Sequence, residues 1–434
     1  MAKAAVKDSS TGSEQPGDGK APEKVADPRR KAVRVRAGSL LAALKDVASV
    51  IRGGEIPILG HVLFTSGGSD TDHQISLTGT NLDLWATRCL GAEADAEARE
   101  GFRSFEITLA AKPLLAVLSE IDADAGLLIE LPLDHNPLSA TCPRAELSVG
   151  RSRFKLPTLP SADFPRPPSF SPVAQFEISA SVLGDAFAAV DHAISTEAAR
   201  YYLNGVYLHL AQETGQSLDL RMASTDGHRL ARLTLEAPDG AASFPSVIIA
   251  KATVDLLEKL LAAQSRSDSD SKGSPDLVLI ESDGENTGKL RICIGETEII
   301  AKTIDGAFPD YTRVIPSSSP HSAVVERAAL MGAIRRVAAL ASKESRAIKA
   351  TFRAGQLKLS MNSPENGEAR EEMACTFEGD QVSIGFNSKY WLDALAALAG
   401  DAVEMGFGDP RAPVTLRPVI EGERFVQVLM PLAI

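Results

Sequence analysis

The chain has 434 residues, of which 44% are hydrophobic and 24% are charged. These ordinary values exclude wholesale disorder, and the length allows roughly two to four domains. The formal net charge of −12 excludes a generally basic surface for nucleic acid, although it is compatible with a local basic face. No apolar run reaches the roughly 18 residues that a membrane-spanning helix requires.

The four cysteines are widely separated and include no Cys-x-x-Cys pair. They form neither a disulfide framework nor a zinc signature, so we expect reduced thiols in packed strands. The histidines show no metal-ligand spacing, and there is no Walker-type glycine-rich phosphate loop. The sequence therefore predicts no metal, no cofactor and no ATP hydrolysis. The cysteines are Cys89, Cys142, Cys293 and Cys375.

The N-terminal segment, residues 1–32, contains no Leu, Ile, Phe, Trp or Tyr. It cannot bury enough apolar surface to offset its ordering entropy, so a disordered tail is predicted. Its acidic residues and its lack of an apolar stretch argue against a secretory or transit peptide. A stretch at about 264–275 alternates serine with charge and predicts a solvated loop. Two proline-rich stretches, 157–168 and 308–316, predict linkers.

Three segments share an apolar template with offsets 0, +4, +7 and +11, which follows one face of an amphipathic helix. A short alternating stretch precedes each segment, and the segments start 143 and 147 residues apart. The template residues are Leu40, Leu44, Val47 and Ile51; Leu183, Phe187, Val190 and Ile194; and Leu330, Ile334, Val337 and Ala341.

A second template follows later in each unit, where a short strand leads to Lys112, Lys251 and Lys389, with apolar residues at +3 and +6. These lysines lie 139 and 138 residues apart, so two templates repeat at nearly one spacing. Alternating segments between them predict antiparallel strands, about eight in each unit. The sequence therefore predicts three similar α+β domains in a row, at 33–166, 174–316 and 320–434, behind the tail.

Residues 225–229 read Thr-Asp-Gly-His-Arg and suggest an enzyme, with Asp226 and His228 as an acid–base pair. No serine or cysteine nucleophile with a supporting motif accompanies them. A tight turn between two strands is the simpler interpretation, because Gly227 tolerates backbone angles that other residues avoid. A hydrolase therefore stays a remote alternative.

The chain resembles the bacterial DNA polymerase III beta subunit family, the replicative sliding clamps. The resemblance covers all three units, from about residue 33 to the end, in family order. The stretches that carry it are PILGHVLF (57–64), SLTGTNLDL (76–84), GRSRFKLPTLPSADFP (150–165), RYYLNGVYL (200–208), STDGHRLA (224–231), DGAFPDYTRVIP (305–316), IGFNSKYWLDAL (384–395) and VLMPLAI (428–434).

The resemblance implies a head-to-tail homodimeric ring, in which six similar domains place helices around duplex DNA and sheets outside. It implies a non-catalytic processivity factor of the bacterial cytoplasm that tethers the replicative polymerase. Its partners would be the polymerase alpha subunit, an ATP-driven clamp loader, and other polymerases and repair proteins with short linear peptides. A paralogue serving repair or drug tolerance is the alternative, because the long tail and altered DNA-facing loops depart from the family.

The resemblance also assigns site residues, and the recurring lysines support it, because a lysine at a helix N-terminus is mildly unfavourable without a function. The DNA-binding set is Arg52, Lys112, Arg200, Tyr201, Tyr202, Lys251 and Lys389. The partner-peptide pocket, between the second and third domains, is Leu203, Thr225, Gly227, His228, Arg229, Leu230, Pro309, Arg313, Val314, Val428, Met430, Pro431 and Leu432.

Other charged residues are expected to make the basic density around the hole uneven. The second repeat is acidic at its first helix, with Asp185 and Asp191. A further basic cluster is expected around the first helix of the third repeat: Arg335, Arg336, Lys343, Arg346 and Lys349. Departures from the family lie near Arg52, at Ala111, at Pro413 and in the terminal Leu-Ala-Ile.

Overall fold

The structure is a computed structural model that describes residues 30–51, 55–69, 72–90, 105–132, 144–212, 217–267, 277–284, 288–341, 346–422 and 424–433. Several residues named above lie outside this part of the chain. They are residues 1–29 of the tail, residues 268–275 of the low-complexity loop, Arg52, Cys142 and Lys343.

Each repeat contains two helices, and most of its remaining elements are strands. The first repeat has β1 (Arg30–Arg36), α1 (Ala37–Ala48), β2 (His61–Ser69), β3 (Asp72–Thr80), β4 (Leu84–Leu90), β5 (Phe105–Ala110), α2 (Ala111–Ser119), β6 (Gly126–Pro132), β7 (Ala145–Val149) and β8 (Ser152–Leu156). The second has β9 (Ala174–Ser179), α3 (Ala180–Val190), β10 (Gly205–Gln212), β11 (Leu218–Thr225), β12 (Arg229–Glu236), β13 (Val247–Ala250), α4 (Lys251–Ser267), β14 (Leu277–Ser282), β15 (Lys289–Ile294) and β16 (Thr297–Lys302).

The third repeat follows the same order of elements. It has β17 (His321–Glu326), α5 (Arg327–Ala338), β18 (Ala347–Arg353), β19 (Gln356–Ser363), β20 (Gly367–Ala374), β21 (Thr376–Phe377), β22 (Val382–Asn387), α6 (Ser388–Ala396), β23 (Ala402–Phe407), β24 (Val414–Pro418) and β25 (Phe425–Leu429). Within the described residues the strands therefore number eight, eight and nine, close to the predicted count. In every repeat a strand runs directly into each helix, as both templates predicted.

By contacts the chain forms two compact units, residues 1–45, 56–77 and 90–164, and residues 46–55, 78–89 and 165–434. In the first unit, β1, β6, β7 and β8 form an antiparallel sheet in that order, and β2 pairs with β5. In the second unit, β4, β16, β15, β14 and β9 are neighbours in one sheet, and β20, β19, β18 and β22 form another.

The second and third repeats fall in one unit because they share a sheet. Nine strands run in the order β13, β10, β11, β12, β25, β24, β23, β17, β21. The joint is the antiparallel pair β12 and β25, in register from Arg229 opposite Leu429 to Leu233 opposite Phe425. Backbone hydrogen bonds thus cross from one repeat to the next, a continuity that the threefold pattern did not predict.

The first template marks the core face of α1, α3 and α5. Its positions 0, +4 and +7 are at most 2% exposed in all three helices, and each buried aliphatic side chain contributes roughly 1.5–3 kcal/mol. The +11 positions were expected on the same helices, but the helices end before them, at Ala48, Val190 and Ala338. They therefore belong to the segments that follow: Ile51, Ile194 and Ala341.

Three predicted boundaries were wrong by a few residues. Strand β1 begins at Arg30, inside the predicted tail, because residues 30–32 continue its ladder with β6. Helix α4 continues to Ser267, so the residues from 264 to 267 are helical rather than part of the predicted loop. Residues 202–210 are among the alternating segments predicted as strands, but they start in a 3-10 helix, Ala198–Leu203, and the strand begins only at Gly205.

Candidate partner and DNA interface

The turn between β11 and β12 places the Asp-Gly-His motif at the surface. One carboxylate oxygen of Asp226 accepts hydrogen bonds from the backbone N–H groups of His228 (2.9 Å) and Arg229 (3.0 Å). Gly227 has a φ of +88°, which only glycine adopts easily. The other oxygen of Asp226 accepts from Arg229 Nε at 3.1 Å. Asp226 thus stabilises a turn, and nothing in this geometry supports an acid–base pair with His228.

Arg229 connects this turn to helix α6. Its side chain is buried, and its terminal nitrogen donates to Asp393 Oδ2 at 2.7 Å. Its guanidinium lies 4.4 Å from the centre of the Tyr390 ring, within the range of a cation–π contact. Burial raises the pKa of Asp393, but hydrogen bonds from Lys389 and Arg229 outweigh burial and leave this pKa below its usual value. Asp393 is therefore charged at neutral pH and holds Arg229 in place.

A small apolar cluster lies beside the turn. Leu230 on β12 is paired with Val428 on β25, and both side chains pack with Ala223 and Tyr311. The buried Tyr311 comes from the segment 308–316, which the prolines had marked only as a linker. The cluster brings two predicted pocket residues, Leu230 and Val428, into contact across the joint between the two repeats.

Three aromatic residues that the sequence analysis missed extend this cluster. The rings of Tyr207 and Phe308 are stacked with centres 4.8 Å apart, and His209 stacks on Tyr207 at 4.5 Å. His209 Nε2 and the Tyr311 hydroxyl form a hydrogen bond of 2.8 Å. Burial lowers the pKa of His209, so its ring is neutral at physiological pH. The only sequence signal was an excess of aromatic residues in two short segments, which alone did not indicate a site.

The C-terminal segment completes the candidate pocket. The Met430 N–H donates to the His228 carbonyl at 2.9 Å, and the Leu432 N–H donates to the Gly385 carbonyl at 2.8 Å. Met430, Leu432 and Val314 are large apolar side chains that remain exposed. Exposed apolar residues around a buried apolar cluster suit adaptable docking of a peptide. The structure thus brings the turn, the joint strands and the chain's last residues together.

The remaining predicted pocket residues differ in exposure. Leu203 and Thr225 are buried, and the Thr225 hydroxyl donates to the Arg229 carbonyl at 2.6 Å, inside the turn. Pro309 and Arg313 are exposed on the segment that carries Tyr311. Arg313 is ion-paired with its neighbour Asp310 at 2.8 Å, so it is a solvated side chain at the rim. Pro431 is half-buried between Met430 and Leu432.

Arg200 is less free for a phosphate than the sequence suggested. It donates two hydrogen bonds to the Glu197 carboxylate, at 2.9 and 2.8 Å, and one to the Asp226 carbonyl at 3.0 Å. Arg200 therefore stabilises the turn through the Asp226 carbonyl. Tyr201 is 53% exposed and meets Tyr202 edge to face at 5.9 Å, so these rings are the accessible part of the motif.

The three recurring lysines lie at helix starts, but not at equivalent positions. Lys112 and Lys389 are the second residues of α2 and α6, whereas Lys251 is the first residue of α4. Lys251 is paired with Asp255 at 2.9 Å and Lys389 with Asp393 at 2.7 Å. Because the lysine is one position later in the helices of the first and third repeats, the first buried hydrophobic residue after it is one position closer to it there. Leu114 and Trp391 are fully buried where Leu115 and Leu392 were expected.

Acidic residues crowd the helices of the second repeat, as its sequence indicated. Burial, together with the nearby charges of Asp191 and Asp255, raises the pKa of Glu258 to about 7, while Lys251 opposes them. Glu258 Oε1 has no hydrogen-bond partner among the described residues. Helix α3 carries no basic residue, whereas the basic residues of α4 are Lys251, Lys259 and Arg266.

The basic cluster expected around α5 is divided between two faces. Arg335 is exposed on the helix, and Arg336 is ion-paired with Glu371 on β20. Lys349 was expected with them, but it lies on strand β18, whose buried residues Ile348 and Ala350 alternate with it. Lys349 therefore points away from the core face, which the period of two along a strand requires.

Helices in the described part of the chain are all too short or too polar to span a membrane. Among the same residues, no three His, Cys, Asp or Glu side chains gather as a metal ion would need.

Comparisons with known proteins agree over all three repeats. Family models of the DNA polymerase III beta subunit match with their N-terminal, central and C-terminal domains at residues 32–168, 177–310 and 312–433. The beta sliding clamp of Caulobacter vibrioides is 33% identical over 402 residues, covering 92% of this chain and 99% of that protein. The beta sliding clamp of Pseudomonas putida is 33% identical over 380 residues, covering 87% and 94%.

A solved structure gives the same result. The sliding clamp of Bartonella birtlesii bound to griselimycin superposes with a TM-score of 0.82 at 32% identity, covering 93% of this chain and all of that chain. The fold class and the three-domain organisation predicted from the repeats are thus confirmed. With three clamp domains matched in order and relatives aligned over nearly their full length, the chain belongs to the DNA polymerase III beta subunit family of sliding clamps.

Proposed function

We propose that two copies of this chain close head to tail into a ring that encircles duplex DNA and tethers the replicative polymerase. The observation that carries the proposal is the threefold clamp domain, in which each repeat starts its second helix with a lysine. Exposed lysines provide weak contacts with phosphates that are independent of sequence, and a net charge of −12 disfavours tight binding elsewhere. Retention would then be topological, and sliding would stay fast.

Open sheet edges of opposite charge support the ring. Strand β8 is paired only with β7 among the described strands and carries Arg153 and Lys155. Among the described strands β20 is paired only with β19, and it carries Glu368, Glu371 and Glu372 against one basic residue, Arg370, so its net charge is negative. An unpaired edge is a template for another strand, and opposite charges select the partner. We infer that β8 of one copy meets β20 of the other.

The pocket at the joint of the second and third repeats is proposed to bind linear peptides of partner proteins. These are the polymerase alpha subunit, the clamp loader, and other polymerases and repair proteins, as expected in a bacterial cytoplasm. Support comes from the buried cluster around Leu230 and Val428 and from the exposed Met430 and Leu432 beside it. Nothing found favours the paralogue or the hydrolase.

The ring is tested by comparing how long the protein stays on circular and on linear DNA. The protein is placed on nicked circular DNA by a clamp loader, and its loss is followed before and after the DNA is cut into a linear form. We expect slow loss from the circle and rapid loss from the linear molecule, together with a solution mass near twice 45.9 kDa. Rapid loss from both forms would show that the protein does not encircle DNA.

A further inference from the structure

A second groove begins where the candidate peptide pocket ends. It has a volume of about 360 Å³ and lies on the solvent-exposed face of the sheet formed by β18, β19 and β20. Its lining includes residues from all three strands and from the C-terminal segment. They are Ala347, Lys349, Asn362, Glu368, Arg370 and Ala433.

The groove is continuous with the pocket through the backbone. Leu432, a pocket residue, donates its N–H to the Gly385 carbonyl on β22 at 2.8 Å. Gly385 is in turn the direct cross-strand partner of Lys349 on β18. Leu432 and Lys349 therefore flank the same glycine. From Met430 to Ala433 the chain spans at most about 10 Å, so three further residues of a bound peptide would reach the groove.

The charge of the groove selects its occupant. Arg370 is paired with Glu368 at 3.1 Å, so these two charges largely cancel. Lys349 is exposed and has no ion-pair partner within the described part of the chain. The lining thus carries one uncompensated positive charge, which favours a carboxylate.

We propose that the partner-peptide site extends into this groove and that Lys349 binds an acidic residue flanking the apolar anchors of the peptide. The inference rests on the proposed peptide pocket and adds a specificity determinant to it. A single solvated ion pair of this kind changes affinity by about two- to fivefold at low salt. Salt screens it, so the gain should vanish near 1 M salt.

A titration with three labelled peptides tests the extension. The clamp-binding peptide of a polymerase alpha subunit is made with three serines at both ends, with three aspartates at its N-terminal end, or with three aspartates at its C-terminal end. Each is titrated against wild type, Lys349→Glu and the control Lys358→Glu. Lys358 lies on β19, on the same face of the sheet as Lys349 but outside the groove, and is paired with Glu372.

We expect one of the two acidic peptides to bind wild type and Lys358→Glu about two- to fivefold more tightly than the serine peptide, and to lose this gain in Lys349→Glu. The serine peptide should bind all three proteins equally. If neither acidic flank gains affinity, or if Lys358→Glu removes the gain equally, the groove is not a peptide site. Failure of the serine peptide to bind any of the proteins would instead refute the proposed pocket, and the extension with it.

Discussion

Asp393 accepts a hydrogen bond from Arg229 at 2.7 Å, although the two residues are 164 positions apart in the chain. The same oxygen, Oδ2, also accepts from Lys389 at 2.7 Å. One carboxylate oxygen therefore joins the turn of the proposed peptide pocket to a lysine proposed to face DNA. The two proposed surfaces meet at this one atom.

Removing the carboxylate should weaken peptide binding. In Asp393→Ala, Arg229 loses a charge-assisted hydrogen bond and the turn at 226–228 loses its brace to α6, so we expect about three- to tenfold lower affinity for a polymerase-derived peptide. Asp255→Ala is the matched control, because Asp255 is paired with Lys251 in the same i, i+4 geometry. Fluorescence titration measures both. Equal affinities in the two variants would show that Asp393 does not position the turn.

Replacing Lys389 or Lys251, each ion-paired with an aspartate, should weaken DNA binding equally, but only the change at Lys389 should alter peptide binding. Lys389→Ala and Lys251→Ala each remove one proposed phosphate contact, so each should reduce the slope of log affinity against log salt by roughly 0.9. Only the Lys389→Ala change frees Asp393 from its second hydrogen-bond donor. Asp393 then bonds Arg229 alone, so we expect the peptide affinity of this variant to rise by about twofold. Salt-dependent DNA binding and peptide titration on the same samples separate the two effects. An unchanged salt slope would place these lysines away from DNA.

Deleting residues 430–434 should abolish peptide binding while leaving the dimer intact. The deletion removes the Met430 hydrogen bond to His228 and the exposed side chains of Met430 and Leu432, but spares strand β25, which ends at Leu429. The proposed dimer edges, β8 and β20, are untouched. Peptide titration and light scattering give the two readouts, and full-length protein is the reference. A truncated protein that still binds peptide normally would place the partner site elsewhere.

Glu258 should make the protein less stable as pH rises through neutrality. Its pKa, raised to about 7 by burial and by Asp191 and Asp255, exceeds the ordinary 4.5, so the folded state holds this proton more tightly than the unfolded state. Its contribution is most favourable below about pH 4.5 and is lost as pH rises through about 7. Glu258→Gln should therefore gain melting temperature relative to wild type between about pH 5 and pH 8.5. Asp185→Asn, on the exposed side of α3, is the control; a parallel pH profile for Glu258→Gln and wild type would contradict the assignment.

Local patterns were sufficient for the helices and most strands, because burial imposes a period on each element. Leu40, Leu183 and Leu330 recur at one spacing since the same helix face packs in every repeat. The residue at which a helix or strand ends depends on weaker interactions than burial. The ladder with β6 extends β1 back to Arg30, and residues 30–32 contain no large apolar residue that would have indicated a strand.

The site depended on contacts between distant residues, and these could not be derived from spacing. Arg229 belongs to the motif at 225–229 and Asp393 follows Lys389 in the second template, and nothing local indicated that they touch. The prolines around Tyr311 predict a linker, and this signal is the same whether or not the aromatic residue is buried. The residue-by-residue resemblance located the turn and the terminal segment, but it missed the aromatic stack of Tyr207 and Phe308.

Strand β25 lies between β12 and β24, and this order has a consequence for synthesis on the ribosome. Strand β12 ends at Glu236 and β25 begins at Phe425, so nearly 190 residues are translated before β12 receives its second neighbour. At roughly 5–20 residues per second, that interval is about 10 to 40 s. During that time the edge of β12 is open in the nascent chain, with Leu230 and Leu233 facing no partner strand. Chaperones should therefore bind the second repeat during translation and release it once β25 has paired with β12.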